Sequence, residues 1–396
     1  VTEVDARVPA VLGGAPAFPE RLPLVRPTLR DVPGLTADIG AILDRGLLTN
    51  GATVRQLEDA VSERLGAHVV AVSSCTAGLM LVMQAVEATG PVVMPSFTFS
   101  ASAHAVTWAG GSPDFADVEP ERATLDPDRI AGLLDGAAAM TATHIYGSPC
   151  DVERLGELAR DAGVPLIYDA AHALGSERNG TPIGRFGVAE VFSLSPTKVV
   201  VAGEGGLIAT MDPDLAQWCR LGRDYGNPGD YDTRFAGLNA RMSELHAAVA
   251  LASFAHLDEN IANRVALVDR FEAGVAGLPG LRIVRPAEGD TSTFKDLTMV
   301  VDAEAFGLSA PQIQAAFDAE GIDSRRYYHP PIHRQTSYDG KWDTPRPLPV
   351  TDELAGSVLS PPLWSHLEGS TMDRVADVLV ELHRHASKVA ATLEVD

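Results

Sequence analysis

Between residues 67 and 210 the chain is cut into apolar runs of five to eight residues, with helix-patterned stretches between most of them. The runs are His68–Ser73, Pro91–Pro95, Pro113–Val118, Ala137–His144, Pro165–Asp169, Glu190–Leu194 and Gly206–Thr210. Runs this short and this apolar read as strands buried on both faces. Helical patterns at Ala77–Glu87, Ser102–Ala109 and Val152–Ala162 supply crossovers between them. Such βαβα alternation specifies a mostly parallel sheet covered by helices on both faces, the α/β class.

The flanks extend this plan. Residues 1–35 are Pro-rich and irregular and read as an N-terminal arm laid over the body. Helical patterning covers about 36–66, interrupted at Leu48-Thr49-Asn50-Gly51. A long helical stretch, about Ser243–Gly274, leads into the rest of the chain. Strand candidates come next at Leu281–Val284 and Leu297–Val301, with helices near Ala310–Glu320 and Met372–Leu393. The expected organisation is an arm (1–35), a large domain (36–255) and a smaller α+β C-terminal domain (256–396). A length of 396 residues, 45% of them apolar, supports two domains with real cores.

Several function classes recede. A net charge of −22 argues against nucleic acid or an anionic membrane as partner. No apolar run reaches the ~18 residues of a membrane span, and no basic-then-apolar leader opens the sequence. Cys75, Cys150 and Cys219 are odd in number and far apart, which suits a reducing cytoplasm. His329-Pro-Pro-Ile-His333 spaces two histidines by four, but the prolines forbid the helix that would align them on a metal. In so acidic a chain, an anionic substrate needs locally placed Arg or helix N-termini.

Chemistry-bearing residues gather at the ends of the apolar runs, where α/β sheets place ligands. Val72-Ser73-Ser74-Cys75-Thr76-Ala77 turns from strand to helix, and a helix start favours phosphate. Simple capping is the plain alternative for its hydroxyls. Asp169 ends an apolar strand, where it either caps the next turn or faces a protonated ring nitrogen. Of 31 basic residues only Lys198, Lys295, Lys341 and Lys388 are lysines. Lys198 sits in an apolar, glycine-bounded stretch without a neighbouring acid. A Lys amine, unlike Arg, can lose its proton when desolvated and form a Schiff base; a solvated surface charge is the plain alternative. Asn239 reads as the N-cap that opens the long helix.

Taken together, these segments resemble the DegT/DnrJ/EryC1/StrS sugar aminotransferases, pyridoxal-phosphate enzymes of fold type I. The likeness spans roughly residues 20–390. It is carried by Leu48-Thr49-Asn50-Gly51, Pro95-Ser96-Phe97-Thr98-Phe99, His144-Ile145-Tyr146-Gly147, Asp169-Ala-Ala-His172, Ser193 through Lys198, Gly203-Glu204-Gly205-Gly206, Asn239-Ala240-Arg241-Met242 and Leu359-Ser360-Pro361-Pro362-Leu363. The nearest likeness within the family is to enzymes that act on dTDP-4-keto-6-deoxyhexoses in actinomycete antibiotic pathways such as that of calicheamicin.

The resemblance implies a seven-stranded sheet between helices, with Lys198 as the covalent attachment for pyridoxal phosphate and Asp169 against its pyridine nitrogen. Phe99 would stack on the ring, and His172 would lie near its 3-hydroxyl. Ser74, Cys75, Thr76 and Ser193 would hold the phosphate. Asn239 would reach the phosphate of a neighbouring subunit, making a homodimer with composite sites. Arg241, His329 and His333 are candidate substrate contacts, Arg241 for a phosphate or carboxylate. The implied reaction moves an amino group from L-glutamate to a dTDP-linked keto sugar, with 4-amination expected. A dTDP-3-keto-6-deoxyhexose 3-aminotransferase and a non-catalytic sugar-nucleotide binder remain alternatives. A dehydratase of this fold would carry His in place of Lys198. Departures from the family pattern are Tyr168 where Glu is frequent, Tyr225 where His is frequent, and Cys75 where Gly is frequent.

Overall fold

A computed structural model describes residues 7–340 and 346–393. The first six residues of the arm, Lys341 and the last three residues of the C-terminal part lie outside the described residues.

After a short helical turn at Ala10–Leu12, the body begins with α1 (Val32–Arg45) and α2 (Ala52–Leu65). Next come β1 (His68–Val72), α3 (Cys75–Ala85), β2 (Pro91–Pro95), α4 (Ser100–Trp108) and β3 (Ser112–Ala116). The chain continues with β4 (Ala139–Thr143), α5 (Val152–Ala162), β5 (Leu166–Asp169), β6 (Ala189–Ser193), β7 (Gly206–Thr210) and α6 (Pro213–Gly222). The strands form one seven-stranded sheet in the order β1-β7-β6-β5-β4-β2-β3. Its pairings are parallel except those of β7, which runs against both β1 and β6. Every residue of β4, β5 and β7 is buried, the mark of strands covered on both faces.

The reversal of β7 matters for the site. It brings Gly205 and Gly206 to the same edge as the carboxyl ends of the other strands. There a Cβ on Gly206 would come within 2.6 Å of the Cys75 backbone N. Glycine therefore lets the β1–α3 turn press against the start of β7.

The long helical stretch is two helices, α7 (Glu244–Phe254) and α8 (Leu257–Val275). No Pro or Gly marks the break. It falls where the buried face changes partner: Ala247 and Ala250 pack in the core beside α2, while Leu267, Val268 and Phe271 pack in the C-terminal core. The N-cap of α7 is Ser243, whose Oγ accepts the Leu245 N–H at 3.2 Å, so Asn239 does not cap it. Asn239 instead pairs in a β-bridge with Asp224.

The C-terminal part carries a small sheet of β8 (Leu281–Ile283), β9 (Met299–Val301) and β10 (Val358–Leu359), antiparallel throughout. Around it lie α9 (Ala310–Ala319), α10 (Pro349–Ser357), α11 (Gly369–Arg384) and α12 (Ala386–Thr392). The stretch read as one helix over Met372–Leu393 is thus broken at His385. Phe18 and Leu22 of the arm pack into this C-terminal core. No described helix is long and apolar enough to cross a membrane.

Candidate active site

The loops at the carboxyl edge of the sheet enclose a cavity of ≈ 380 Å³, within the range of small-molecule sites. Ser74, Cys75 and Thr76 reach it from the β1–α3 turn, Phe99 from the end of β2, and Asp169 and His172 from the end of β5. Ser193 enters it at the end of β6 and Lys198 from the turn that follows. The cavity therefore gathers residues more than 120 positions apart because parallel strands end on one line.

The β1–α3 turn is built for an anion. Ser74 caps α3 by accepting the Ala77 N–H at 3.1 Å. Cys75 and Thr76 head the helix, where backbone N–H groups have no intrahelical carbonyl to reach. A Cβ on Gly78 would meet Val191 Cγ1 at 2.7 Å, so the helix start lies tight on β6. Burial, then the charge of Asp169, pushes the Cys75 thiol well up, which keeps a neutral thiol in the turn.

Asp169 is 3% exposed. Its Oδ2 accepts from Ser102 Oγ at 2.6 Å and its Oδ1 from the Ala171 N–H at 3.1 Å. Thr98 Oγ1 joins Ser102 Oγ (3.3 Å) and Thr143 Oγ1 (3.0 Å), which locks the support behind the carboxylate. Ser102 and Thr143 are not among the residues singled out in the sequence, and Thr98 enters there only within the Pro95–Phe99 motif, without a role of its own. A Ser or Thr on a helix or strand carries no local sign of such a role.

Lys198 closes a turn in which its N–H donates to Ser195 O at 3.0 Å. Burial, then the nearby Lys295 cation, lowers its amine to about 8, against the opposing pull of Asp296, Cys75 and Asp169. His172 Nδ1 accepts the Tyr146 N–H at 3.1 Å, so the neutral ring carries its proton on Nε2, 3.3 Å from the Tyr328 hydroxyl. Burial, then Lys198 and Lys295, pushes the His172 pKa well down, consistent with that tautomer.

Other candidates lie elsewhere. Asn239 is exposed and outside the cavity lining. Arg241 is ion-paired with Asp224 and lies 5.4 Å over the Tyr225 ring, also outside it. His329 is exposed. His333 is held by Ser96 Oγ (2.7 Å) and Asp352 (3.1 Å), and neither histidine lines the cavity. In their place the cavity lining includes Lys295, Tyr327 and Tyr328. Scarcity of lysine, the signal that singled out Lys198, applied equally to Lys295.

The residues fit pyridoxal phosphate, the cofactor the resemblance implies. A helix start beside the Gly206 contact offers N–H donors for the phosphate, and a buried carboxylate offers a partner for a protonated pyridine nitrogen. An amine poised near neutrality shares the cavity with both.

Comparison with known proteins agrees with this geometry. The model of the DegT/DnrJ/EryC1/StrS aminotransferase family matches residues 34–380. The dTDP-3-amino-3,4,6-trideoxy-alpha-D-glucose transaminase of Streptomyces venezuelae is 32% identical over 351 residues, covering 87% of this chain and 91% of its own. The dTDP-4-amino-4,6-dideoxy-D-glucose transaminase of Escherichia coli is 27% identical over 366 residues, covering 91% and 98%. The structure of DesI in the presence of its TDP-sugar product superposes with a TM-score of 0.92 at 35% identity, covering 96% of this chain and 98% of DesI.

Proposed function

The chain belongs to the DegT/DnrJ/EryC1/StrS aminotransferase family, and we propose that it transfers the amino group of L-glutamate to dTDP-4-keto-6-deoxy-D-glucose, giving dTDP-4-amino-4,6-dideoxy-D-glucose. As a family member it is a pyridoxal-phosphate-dependent aminotransferase of nucleotide-linked sugars. The observation that carries transamination is the pair formed by Lys198 and Asp169 in one cavity, with the Lys198 amine lowered to about 8. The 4-amino assignment is supported by the 4-amino sugar in the Escherichia coli relative's name and by the sequence likeness to enzymes of dTDP-4-keto-6-deoxyhexoses. The Streptomyces venezuelae relative favours a second reading, amination at C3 with the same cofactor residues.

Bound pyridoxal phosphate supplies the carbon that receives nitrogen and the electron sink for the adjacent carbanion. Lys198 Nζ would take the proton from the donor Cα, which requires it to be uncharged at that moment. In the sugar half-reaction the same nitrogen returns a proton to the acceptor carbon. The Asp169 carboxylate, fixed by Ser102 and the Ala171 N–H, would pair with the pyridine nitrogen. Phe99 would cover the ring, and His172 would lie near its 3-hydroxyl. The turn at Ser74, Cys75 and Thr76, with Ser193, would hold the phosphate. Asn239 acts on the neighbouring subunit's site in a homodimer; its exposure outside its own chain's cavity supports that placement.

Purified enzyme should absorb in the visible and bleach on addition of glutamate. Paired turnover of 3-keto and 4-keto dTDP-6-deoxyhexoses, with products defined by NMR, tests the position. Exclusive turnover of the 3-keto sugar would replace the first reading with the second. A Lys198→Ala protein that kept the visible band and full turnover would end both.

A further inference from the structure

Lys295 is 6% exposed, yet it lines the same cavity as Lys198. Its Nζ donates to Asp296 Oδ1 at 2.8 Å and lies 4.8 Å from the centre of the Tyr327 ring. An ammonium has three donors, and among the described residues only one of these is taken. The ion pair and the aromatic face hold the cation in place without exhausting it.

Both substrates of the reaction are anions in an acidic chain, so their charges need local partners. Among the described residues the cavity lining holds two cationic side chains, Lys198 and Lys295, and no arginine. Lys198 must be neutral to move protons. Arg241 is tied to Asp224 and the Tyr225 ring outside the cavity. Lys295 is therefore the standing cation that this chain's own lining supplies. Burial, then the Lys295 charge, lowers the Lys198 amine, and burial, then Lys198 and Lys295, lowers His172.

Resting on the transaminase reading above, we propose that Lys295, braced by Asp296 and Tyr327, anchors the α-carboxylate of the amino-acid donor. Covalent geometry selects this ligand over the sugar nucleotide's diphosphate. In an α-amino acid the carboxylate carbon lies about 2.5 Å from the nitrogen being transferred. Its anchor must therefore line the same cavity as Lys198, as Lys295 does. A diphosphate is separated from the reacting carbon by the width of a sugar ring and continues into a nucleoside. A cavity of ≈ 380 Å³ that also holds the cofactor leaves the nucleoside at the mouth, away from a side chain so deeply buried.

The holoenzyme tests this with two variants. Lys295→Met strands the Asp296 carboxylate, whose Oδ2 already lacks a partner among the described residues. Lys295→Met/Asp296→Asn removes the cation and the charge left behind, and so separates anchoring from folding damage. Wild type and both variants are titrated with glutamate, glutamate α-amide and α-methylglutamate, which binds but has no Cα proton to lose. Spectral shifts and calorimetry read affinity; bleaching rates read transfer. Loss of a buried charge-assisted contact should weaken α-methylglutamate binding about 10- to 100-fold. It should also abolish the preference for glutamate over its α-amide, with a smaller loss for the sugar nucleotide. Unchanged α-methylglutamate affinity, or an equal or larger loss for the sugar nucleotide, would overturn the anchor while leaving the transaminase intact. A wild-type enzyme that ignores glutamate would overturn the donor assignment and the anchor together.

Discussion

An amine with a pKa of about 8 in place of 10.5 behaves differently from every solvated lysine, and this can be measured without cofactor. In the cofactor-free protein, limited acylation followed by peptide mass spectrometry should show Lys198 half-reactive near pH 8. A Lys198 profile that rises only near pH 10.5 would contradict the desolvated amine. The linkage has a defined sign. Because the folded-state pKa is depressed, the unfolded chain binds more protons between about pH 8 and 10.5, so this group makes stability rise with pH through that window. Asp169 depends on its neighbours in a different way. Ser102→Ala removes the 2.6 Å donor to Oδ2 and should cost about 1–3 kcal/mol in urea unfolding, with weaker cofactor retention. A Ser102→Ala protein with wild-type stability and cofactor affinity would show that the hydroxyl does not hold the carboxylate.

At the scale of elements, the phosphate turn depends on how closely α3 and β7 approach. Gly206→Ala would place a methyl 2.6 Å from the Cys75 N, where only backbone can yield. We expect a loss of about 1–3 kcal/mol in thermal unfolding together with poor cofactor retention. Gly40→Ala is the control: nothing lies within 4 Å, and alanine inside α1 should gain about 0.5–1 kcal/mol. Equal behaviour of the two would refute the packing argument. The same elements explain what could be read from the sequence. Pro91–Pro95, Val152–Ala162 and Gly206–Thr210 carry the bounds expected of them, because a short buried strand and an amphipathic helix write their period locally. The break between α7 and α8 left no local mark, since it coincides with a change of packing partner. Asp212-Pro213 at the start of α6 is a helix-start signature that hydrophobic runs alone did not reveal. Lys198, Asp169 and the β1–α3 turn were legible because they sit at strand ends. Lys295, Tyr327 and Tyr328 were not, because only the chain's return from the C-terminal part brings them to the cavity.

At the scale of the molecule, one chain offers a cavity that its own Asn239 does not line, and Phe99 at that cavity is 59% exposed. Leu47, Leu48 and Tyr225 are also large apolar side chains left exposed on the single chain. These features support the proposed homodimer, in which Asn239 crosses to the partner's phosphate. The composite arrangement has an arithmetic consequence that a self-contained site lacks. Lys198→Ala and Asn239→Ala subunits should each be impaired alone. When they are unfolded together, refolded in equal amounts and allowed to pair at random, half of the dimers are hybrids, and each hybrid has one site with both residues native. Activity should therefore recover to about a quarter of the wild-type value, as two-fold symmetry requires. A site built from one chain would show no such recovery, because each site would carry whichever substitution its own chain carries. Refolding each variant separately and mixing afterwards supplies the comparison. If subunits do not exchange, that mixture should stay at the level of its parents, which ties any recovery to hybrid dimers rather than to contamination.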